Sequence, residues 1–302
     1  MNPIDIIIIT YNRKQELHEL LINIEQLEYK DIYLNKVIII DNNITNDNGN
    51  MVLQIRKDIN YSIDYHKPDF NLGVARGRNL GINKSSADLL FFIDDDAEIA
   101  STNALKKIIH YISSQPEDTA VFSLRILYFH NHELQKSAFP HKKFKKYKNK
   151  GSFNTSYFIG AGHIIRRNCL LTTNLYPEDI FYGMEEYDLS YQIISKGYKL
   201  KYTDCVTILH KESARGRQSN LEKSRSLWMN KSIIIYTYLP PIYFISATLL
   251  WSFKFLIDTR LNLKEFVKTF ILILNKLRSS ARKPLSKNNL QYLSSVEARL
   301  WY

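Results

Sequence analysis

The sequence of 302 residues predicts an α/β fold, in which helices flank a mixed, mostly parallel central sheet. The first observation is that short apolar runs rich in β-branched residues alternate with segments of helical periodicity. The second is that these runs end in polar or acidic residues, which is typical of open sheets that bind ligands beyond the carboxyl ends of their strands. The third is that residues 221–302 are apolar and basic, which predicts a helical C-terminal extension.

The first part of the chain supplies three strands and two helices. Residues 4–10 are almost wholly β-branched, which predicts a central strand. The apolar spacing of residues 14–27 predicts an amphipathic helix, and residues 37–40 predict a second strand. Residues 51–59 predict a short helix and residues 61–66 a third strand. This alternation indicates parallel pairing of the strands.

A segment with glycines and arginines follows at residues 71–81. Gly73 and Gly77 allow a close approach of backbone, and a helix is predicted to begin here with Arg76 and Arg78 in its first turns. Cations near a helix N-terminus oppose the helix dipole, so they indicate a nearby anion such as a phosphate. The alternative is an ordinary helix start whose arginines reach solvent.

Three adjacent aspartates follow the most apolar strand. Residues 89–93 carry no charge, which predicts a strand buried on both faces. Asp94 and Asp96 are two positions apart, so they point the same way on an extended chain, whereas Asp95 points to the other side. Two interpretations are open at this point: a divalent cation site, or an acidic turn that caps the next helix.

The remaining elements of the sheet and its helices are shorter. A basic, aromatic insertion occupies residues 129–152, and its run at 141–150 is interpreted as a solvated, mobile loop in preference to an anion-binding surface. The patterns predict helices at 103–113 and 188–196, and strands at 120–128, 157–166, 199–202 and 206–209.

The C-terminal segment contains a markedly apolar run at residues 242–257, separated from a predicted helix at 221–238 by Pro240 and Pro241. The prolines divide the uncharged stretch into pieces too short to span a bilayer. An interfacial helix or a core helix is therefore predicted, and the basic segment 254–288 is expected to face anionic lipid.

Composition excludes several classes of protein. The formal net charge of +11 indicates an anionic partner, but no nucleic-acid-binding motif is present, so a membrane surface or a phosphorylated acceptor is expected and nucleic acid is not. Cys169 and Cys205 form no disulfide or metal-binding pattern, and the N-terminus lacks a signal sequence, so a cytoplasmic location is expected. Neither a dinucleotide-binding GxGxxG after the first strand nor a P-loop occurs.

The order of these motifs over roughly residues 4–212 resembles glycosyltransferase family 2, whose members have the GT-A fold. The resemblance is greatest to the bacterial rhamnosyl- and galactofuranosyltransferases. It is carried by Ile9-Thr10-Tyr11-Asn12-Arg13, Asp41-Asn42, Asn71-Leu72-Gly73, Arg78-Asn79, Asp94-Asp95-Asp96, Glu185-Glu186-Tyr187-Asp188-Leu189 and His210.

The resemblance implies which residues bind the donor and the metal. Asp94 and Asp96 match the family's DxD motif and, with His210, are expected to hold Mn²⁺ or Mg²⁺. A divalent ion would stabilise charge on the leaving nucleotide. Asp41 matches the residue that binds the nucleotide base. The donor-binding residues implied are Thr10, Asn12, Arg13, Asp41, Asn71, Gly73, Arg78, Asp94 and Asp95.

The resemblance also implies the catalytic base. Glu186 stands where the family more often has aspartate, at the start of a helix that faces the acceptor, and Asp188 is its nearest competitor. Inverting transfer needs one carboxylate to accept a proton from the attacking hydroxyl. The alternative is that these acids only favour the helix N-terminus. His163 is interpreted as structural, and Arg215 and Arg217 as part of a lid over the diphosphate.

The predicted function is metal-dependent, inverting transfer of a sugar from a UDP- or dTDP-sugar to a glycan or lipid-linked glycan in bacterial surface polysaccharide synthesis. The expected organisation is a donor-binding and catalytic domain at 1–220 and an extension at 221–302 that contacts an anionic membrane surface or a second copy of the chain. The expected location is the cytoplasm, including the inner face of the plasma membrane. The alternatives are a nucleotidyltransferase and a non-catalytic binding module of a surface-assembly complex.

Overall fold

In the computed structural model, residues 3–44, 48–213, 215 and 219–301 are described. They form one mixed sheet with helices packed on it. The strands are β1 Ile4–Thr10, β2 Leu34–Asp41, β3 Ile63–His66, β4 Leu89–Ile93, β5 Ala97–Ile99, β6 Thr119–Tyr128, β7 Ser152–Thr155, β8 Gly162–Arg166 and β9 Lys199–His210. The helices are α1 Lys14–Glu25, α2 Lys30–Tyr33, α3 Gly49–Ile55, α4 Gly73–Lys84, α5 Ala104–Ser113, α6 Phe144–Tyr147, α7 Arg167–Leu170, α8 Glu185–Ser195, α9 Asn220–Tyr238, α10 Pro241–Asp258, α11 Leu263–Ser279 and α12 Lys287–Ser295.

The strand order places the predicted site at one edge of the sheet. Strands β3, β2, β1 and β4 are adjacent and parallel, as the alternation of strands and helices predicted. Strand β8 then pairs antiparallel with β4 and β6, and β9 runs parallel to β6. Because β1, β2 and β4 all end at the same edge, the polar residues that follow them come together there.

Two apolar layers cover the two faces of the sheet. On one face, β1 packs through Ile6 and Ile8 against Leu17 of α1. On the other, the layer that contains Ile7 also contains Leu189 of α8. Helix α4 lies very close to β1, since a Cβ atom on Gly81 would be 2.5 Å from Ile7 Cγ2. The two layers bury nearly every apolar residue of β1, which explains why this strand has a nearly continuous apolar sequence.

Several predicted element boundaries differ from the structure. Residues 157–161 precede β8 and are not a strand, and α8 begins at Glu185 instead of Asp188. The two short strands predicted after residue 198 are one strand, β9, in which the pairing with β6 shifts between residues 203 and 207. An irregular register breaks the apolar pattern without ending the strand, so sequence periodicity splits it.

The basic insertion is folded. Phe139, Tyr147 and Phe153 form an apolar cluster with Tyr202 of β9, so the interpretation as a solvated, mobile loop was wrong. Glu297, near the C-terminus, accepts hydrogen bonds from Lys143, Lys146 and Tyr147 and so pairs part of the basic charge. This long-range contact could not be read from local composition.

The C-terminal helices pack on one another around Trp228 of α9, which contacts Phe255 of α10 and Phe266 of α11. Helix α10 begins at Pro241 and runs for 18 residues, but only Ala247 and Phe255 on it are buried. The core-helix interpretation was therefore wrong, and the interfacial one remains. By length and composition alone, α10 is a candidate membrane span; most of it is exposed.

Candidate active site

A cavity of about 740 Å³ lies at the carboxyl edge of β1 and β4. Most residues predicted from the sequence as site residues line it, although they come from elements far apart in the chain. Asn12, Asp41 and Asp188 are the predicted residues that do not line it. Those that do are Thr10, Arg13, Asn71, Gly73, Arg78, Asp94, Asp95, Asp96, Glu186 and His210.

Three of the lining residues can hold a metal ion. Asp94, Asp96 and His210 each offer a ligand atom, and these atoms lie within 4.8 Å of one another. Asp96 is 1% exposed, and its Oδ1 accepts no hydrogen bond while lying 3.4 Å from Nε2 of His210. The guanidinium of Arg13 already faces this oxygen, with Nη1 at 3.2 Å, and a bound divalent cation would compensate its burial further. Two oxygen ligands and an imidazole suit Mn²⁺ or Mg²⁺, so the residues fit the predicted ion.

Strand pairing brings this trio together. His210 ends β9, and its backbone pairs with Ala97 of β5, the residue that follows Asp96. The backbone N–H of Lys211 donates a hydrogen bond to the Asp96 carbonyl oxygen at 2.9 Å. The imidazole thus reaches the aspartates because β5 and β9 are antiparallel neighbours, although about 115 residues separate them along the chain.

Asp95 is not part of this trio and pairs with Arg13; residues 94–96 form a turn, closed by the Ala97 N–H on the Asp94 carbonyl oxygen at 3.1 Å, and not the extended chain that was predicted. Arg13 Nη1 lies 2.7 Å from Asp95 Oδ1 and 3.2 Å from Asp96 Oδ1. Burial, assisted by the neighbouring charge of Asp96, raises the pKa of Asp95 to about 7 against the opposing effect of Arg13. Arg13 also donates hydrogen bonds to the carbonyl oxygens of Ser213 and Arg215. This arginine therefore joins the aspartates to the segment after β9.

Gln135, which the sequence analysis did not single out, holds His210. Its Oε1 lies 3.0 Å from Nδ1 of His210, and its Nε2 donates a hydrogen bond to Glu212 at 2.9 Å. An N–H on Nδ1 that donates to Gln135 leaves the Nε2 lone pair directed toward Asp96. Burial lowers the pKa of His210, but the neighbouring carboxylates of Asp96 and Asp94 outweigh it and raise that pKa.

We expect Gln135→Met to weaken Mn²⁺ binding about 10- to 100-fold, because residues that orient a ligating histidine commonly carry that much affinity. Gln135→Glu retains an acceptor for Nδ1–H and should restore most of the affinity. Mn²⁺ titration followed by electron paramagnetic resonance measures this, with Gln115→Met as a matched control that is remote from His210. Unchanged affinity in Gln135→Met would contradict the orienting role.

A second charged group lies opposite the metal ligands. Arg78 of α4 is 4% exposed, and its Nη1 donates hydrogen bonds to Glu186 at 2.8 Å and to Glu185 at 3.3 Å. Its Nη2 is 4.0 Å from Asp94 Oδ1. A Cβ atom on Gly160 would be 2.3 Å from Glu186 Oε1, so a larger residue there would require this pair to shift. The anionic groups near the start of α4 therefore include carboxylates of α8. The alternative prediction, that the arginines of this helix start reach solvent, is wrong for Arg78.

The three acids at the start of α8 have different surroundings. Burial raises the pKa of Glu185 to about 8, and the charge of Glu186 adds to this, whereas Arg78 opposes it. Glu186 lines the cavity, but Asp188 does not. Asp188 accepts hydrogen bonds from Gln192 at 2.5 Å and from Tyr238 of α9 at 3.3 Å. Of the two candidate bases, the structure brings only Glu186 into the cavity.

Asp41 lies behind the cavity wall. Its carboxylate accepts hydrogen bonds from the backbone and side-chain nitrogens of Asn43, from the backbone of Asn48 and from the hydroxyl of Tyr65 at 2.6 Å. Asn42, its neighbour, does line the cavity. These hydrogen bonds hold the loop after β2, and the contact of Asp41 with a nucleotide base stays a prediction.

The predicted residue Asn12 lies after β1 and contacts the loop after β2, because its backbone N–H donates to Asn43 Oδ1 at 2.7 Å. On the wall at the start of α4, Gly73 has a φ of 72°, and a Cβ atom there would be 2.7 Å from the carbonyl oxygen of Phe181. Its backbone N–H donates to Asn71 Oδ1 at 2.8 Å. The glycine is required by backbone conformation and by close approach.

The segment after β9 supplies further contacts. The backbone N–H of Ser213 donates to Asp96 Oδ2 at 2.8 Å. Of the predicted lid arginines, Arg215 contributes its carbonyl to Arg13, and Arg217 lies outside the described residues. His163 is fully buried, stacks on Phe92 and lies 2.9 Å from the Tyr176 hydroxyl, which supports its structural interpretation.

Comparison with known sequences places the chain among sugar-transferring enzymes. Residues 5–171 match the model of Glycosyl transferase family 2. The chain is 29% identical over 178 residues to an uncharacterized protein of Haemophilus influenzae, covering 58% of this chain and 94% of that protein. It is 26% identical over 223 residues to the O-antigen chain rhamnosyltransferase RfbN of Salmonella typhimurium, covering 71% and 68%.

One further relative transfers a sugar to a lipid-linked glycan. It is the GalNAc(5)-diNAcBac-PP-undecaprenol beta-1,3-glucosyltransferase of Campylobacter jejuni, 26% identical over 101 residues. That match covers 33% of this chain and 32% of the relative. It therefore concerns only a part of each protein.

Solved structures share the fold. GalNAc-T7 with UDP, GalNAc and Mn²⁺ superposes with a TM-score of 0.64 at 16% identity, covering 82% of this chain and 50% of that one, so this chain matches half its length. The mannosyltransferase PcManGT of Pyrobaculum calidifontis, in complex with GDP-Man and Mn²⁺, gives a TM-score of 0.61 at 15% identity, covering 97% and 79%. The predicted GT-A architecture is confirmed.

Proposed function

Because this chain belongs to glycosyl transferase family 2 and is a glycosyltransferase, we propose that it carries out inverting, metal-dependent transfer from a nucleotide-diphosphate sugar. The observation that carries this proposal is the position of Arg78. Its guanidinium lies 2.8 Å from Glu186 and 4.0 Å from Asp94, so it stands between the candidate base and the metal ligands in one cavity.

Asp94, Asp96 and His210 would hold Mn²⁺ or Mg²⁺ in this mechanism. When bound, the ion supplies charge stabilisation to the diphosphate of the leaving nucleotide. Arg13, paired with Asp95, is the cation nearest to these ligands on the side of β1 and would contact the diphosphate or ribose. Thr10, Asn42, Asn71 and Gly73 line the same wall and would shape the nucleotide pocket.

Glu186 would accept the proton of the attacking acceptor hydroxyl. Its hydrogen bond from Arg78 holds the side chain at the cavity, where it can meet the acceptor hydroxyl. Burial keeps Glu185 protonated near neutral pH, so the positive charge of the Arg78 guanidinium is available to pair with Glu186. A single positioned carboxylate is what one-step displacement with inversion requires.

The relatives suggest the substrates and the cellular place. They include enzymes named for O-antigen and undecaprenol-linked glycans, so we propose a UDP- or dTDP-sugar donor and a glycan or lipid-linked glycan acceptor. The enzyme would work in the cytoplasm at the inner face of the plasma membrane. Residues 1–220 would form the donor-binding and catalytic domain, with residues 221–302 as an extension.

A thermal-shift screen of nucleotide sugars with and without Mn²⁺ tests the function. A donor that binds only the folded state should raise the melting temperature by a few degrees at saturation, with Mn²⁺ required. Release of nucleoside diphosphate from the best donor would then separate an enzyme from a non-catalytic binding module. A screen in which no nucleotide sugar stabilises the protein, with or without Mn²⁺, would overturn the proposal.

A further inference from the structure

We propose that the outer surface of α10 and α11, called here the α10–α11 face, docks onto an anionic lipid bilayer. The proposal rests on the proposed function only in that a lipid-linked acceptor lies at a membrane. It assigns the contact with the bilayer to particular residues of α10 and α11, which lie outside the catalytic cavity.

The α10–α11 face is apolar over its whole length. In α10, exposed apolar residues recur every three or four positions, which places them on one side of the helix. The same spacing occurs in α11. The residues are Ile242, Ile245, Leu249, Phe253 and Ile257 in α10, and Leu263, Val267, Phe270, Ile271 and Leu274 in α11. Soluble proteins seldom leave so many large apolar side chains together in water.

The inner sides of the two helices are already satisfied. Phe255 and Ile273 pack with Trp228 of α9 into a buried cluster. On a helix, residues 247, 251 and 255 lie opposite residues 249, 253 and 257. The exposed stripe of α10 therefore points away from the rest of the protein, and no described residue covers it.

The segment that carries the apolar stripes is rich in basic residues. The acidic residues between positions 254 and 287, Asp258 and Glu265, are both paired with basic side chains. The unbalanced charge is therefore positive, and it complements anionic headgroups. The basic residues in this segment are Lys254, Arg260, Lys264, Lys268, Lys276, Arg278, Arg282, Lys283 and Lys287.

The length of α10 favours a helix lying in the interface over one that crosses the bilayer. Its 18 residues extend about 27 Å, short of the roughly 30 Å hydrocarbon thickness. The inner side of α10 packs on α9, so α9 would have to enter the bilayer together with α10. Helix α9 carries buried polar residues such as Asn230, which disfavours this. A two-helix face with basic edges binds at the surface instead.

The face is connected to the catalytic cavity. Lys276 of α11 forms an ion pair of 2.7 Å with Asp179, and Phe181, two residues further on, lines the cavity. Lys223 and Leu227 of α9 line it as well, and Leu227 is adjacent in the chain to the buried Trp228. Docking of the α10–α11 face would thus hold the cavity wall near the headgroups, where a lipid-linked acceptor is presented.

Vesicle flotation with the full chain tests the proposal. Vesicles of phosphatidylcholine containing about one third phosphatidylglycerol should carry the protein upward, and pure phosphatidylcholine vesicles should carry much less. The double variant Phe253→Asp/Ile257→Asp replaces side chains that are 61% and 74% exposed. It should lower vesicle binding at least about tenfold, as should Lys264→Glu/Lys268→Glu. Leu171→Asp, at an 80% exposed position outside the face, is the matched control and should bind as the parent does.

Three results would overturn the proposal. The first is that the parent protein does not float with anionic vesicles. The second is that the Phe253 and Ile257 double variant binds the vesicles as well as the parent does. The third is that the parent does not bind vesicles but forms a dimer in light scattering, and that the double variant abolishes this dimer. The last result would assign the face to a second copy of the chain. The assay uses no donor, and donor hydrolysis is measured separately on the same samples. Loss of hydrolysis with vesicle binding retained would therefore count against the proposed function alone.

Discussion

Asp96→Ala is expected to abolish metal-dependent donor turnover, with a fall in kcat/KM of at least about a hundredfold. A catalytic metal contributes several kcal/mol of charge stabilisation in the transition state, and each 1.4 kcal/mol is about tenfold in rate. Asp96 supplies the buried oxygen that accepts no hydrogen bond, and it holds His210 and Arg13 together. Its removal therefore takes away a ligand and loosens a second one. Steady-state release of nucleoside diphosphate, measured across a Mn²⁺ titration, gives the effect.

Two controls separate loss of metal from loss of fold. Asp96→Asn keeps the shape and an acceptor for the Ser213 N–H, so it should fold and still lose Mn²⁺ affinity. Asp118→Ala removes a carboxylate that is 42% exposed and pairs with Lys199 far from the cavity, and should leave turnover unchanged. Undiminished Mn²⁺-dependent turnover in the folded Asp96→Ala protein would refute the metal assignment.

Glu186→Gln is expected to lower kcat by about 10²- to 10⁴-fold while the donor KM changes little. General base catalysis contributes a factor of that size, and glutamine cannot accept the proton. The substitution is nearly isosteric, and its side-chain oxygen can still accept the hydrogen bond from Arg78. In the proposed function the donor binds at the opposite wall, so the loss should be confined to the transfer step. Transfer to an added acceptor, followed alongside donor affinity by thermal shift, measures both quantities.

The matched control is Asp188→Asn. Asp188 bonds to Gln192 and Tyr238 and does not line the cavity, so this variant should cost stability more than rate, with transfer reduced less than about tenfold. The opposite result would be a large loss of transfer in Asp188→Asn together with an active Glu186→Gln variant. The base would then be Asp188, and the assignment of Glu186 from the cavity geometry would be wrong.

The sequence by itself determined the fold class, and most of the site residues predicted from it line the cavity. Strands β1 and β4 are buried on both faces, whereas the chain turns at Asp94–Asp96 and does not continue as the extended chain that the sequence analysis assumed there. These signals are local, because burial and strand geometry repeat over a few residues. The resemblance added His210, which lies about 115 residues from the aspartates, and the structure brings its imidazole to them.

Only the tertiary structure decided the partners that come from distant elements. Gln135 lies in an insertion without a recognisable pattern, yet it reaches His210 because β6 and β9 are paired. Asp41 is engaged by its own loop and by Tyr65, and Asp188 by α9, which no spacing in the sequence indicates. The physical reason is that periodicity records which side of an element is buried. Periodicity does not record how the elements pack together. That packing decides which distant side chain completes a hydrogen bond, and whether an apolar stripe such as that of α10 is covered.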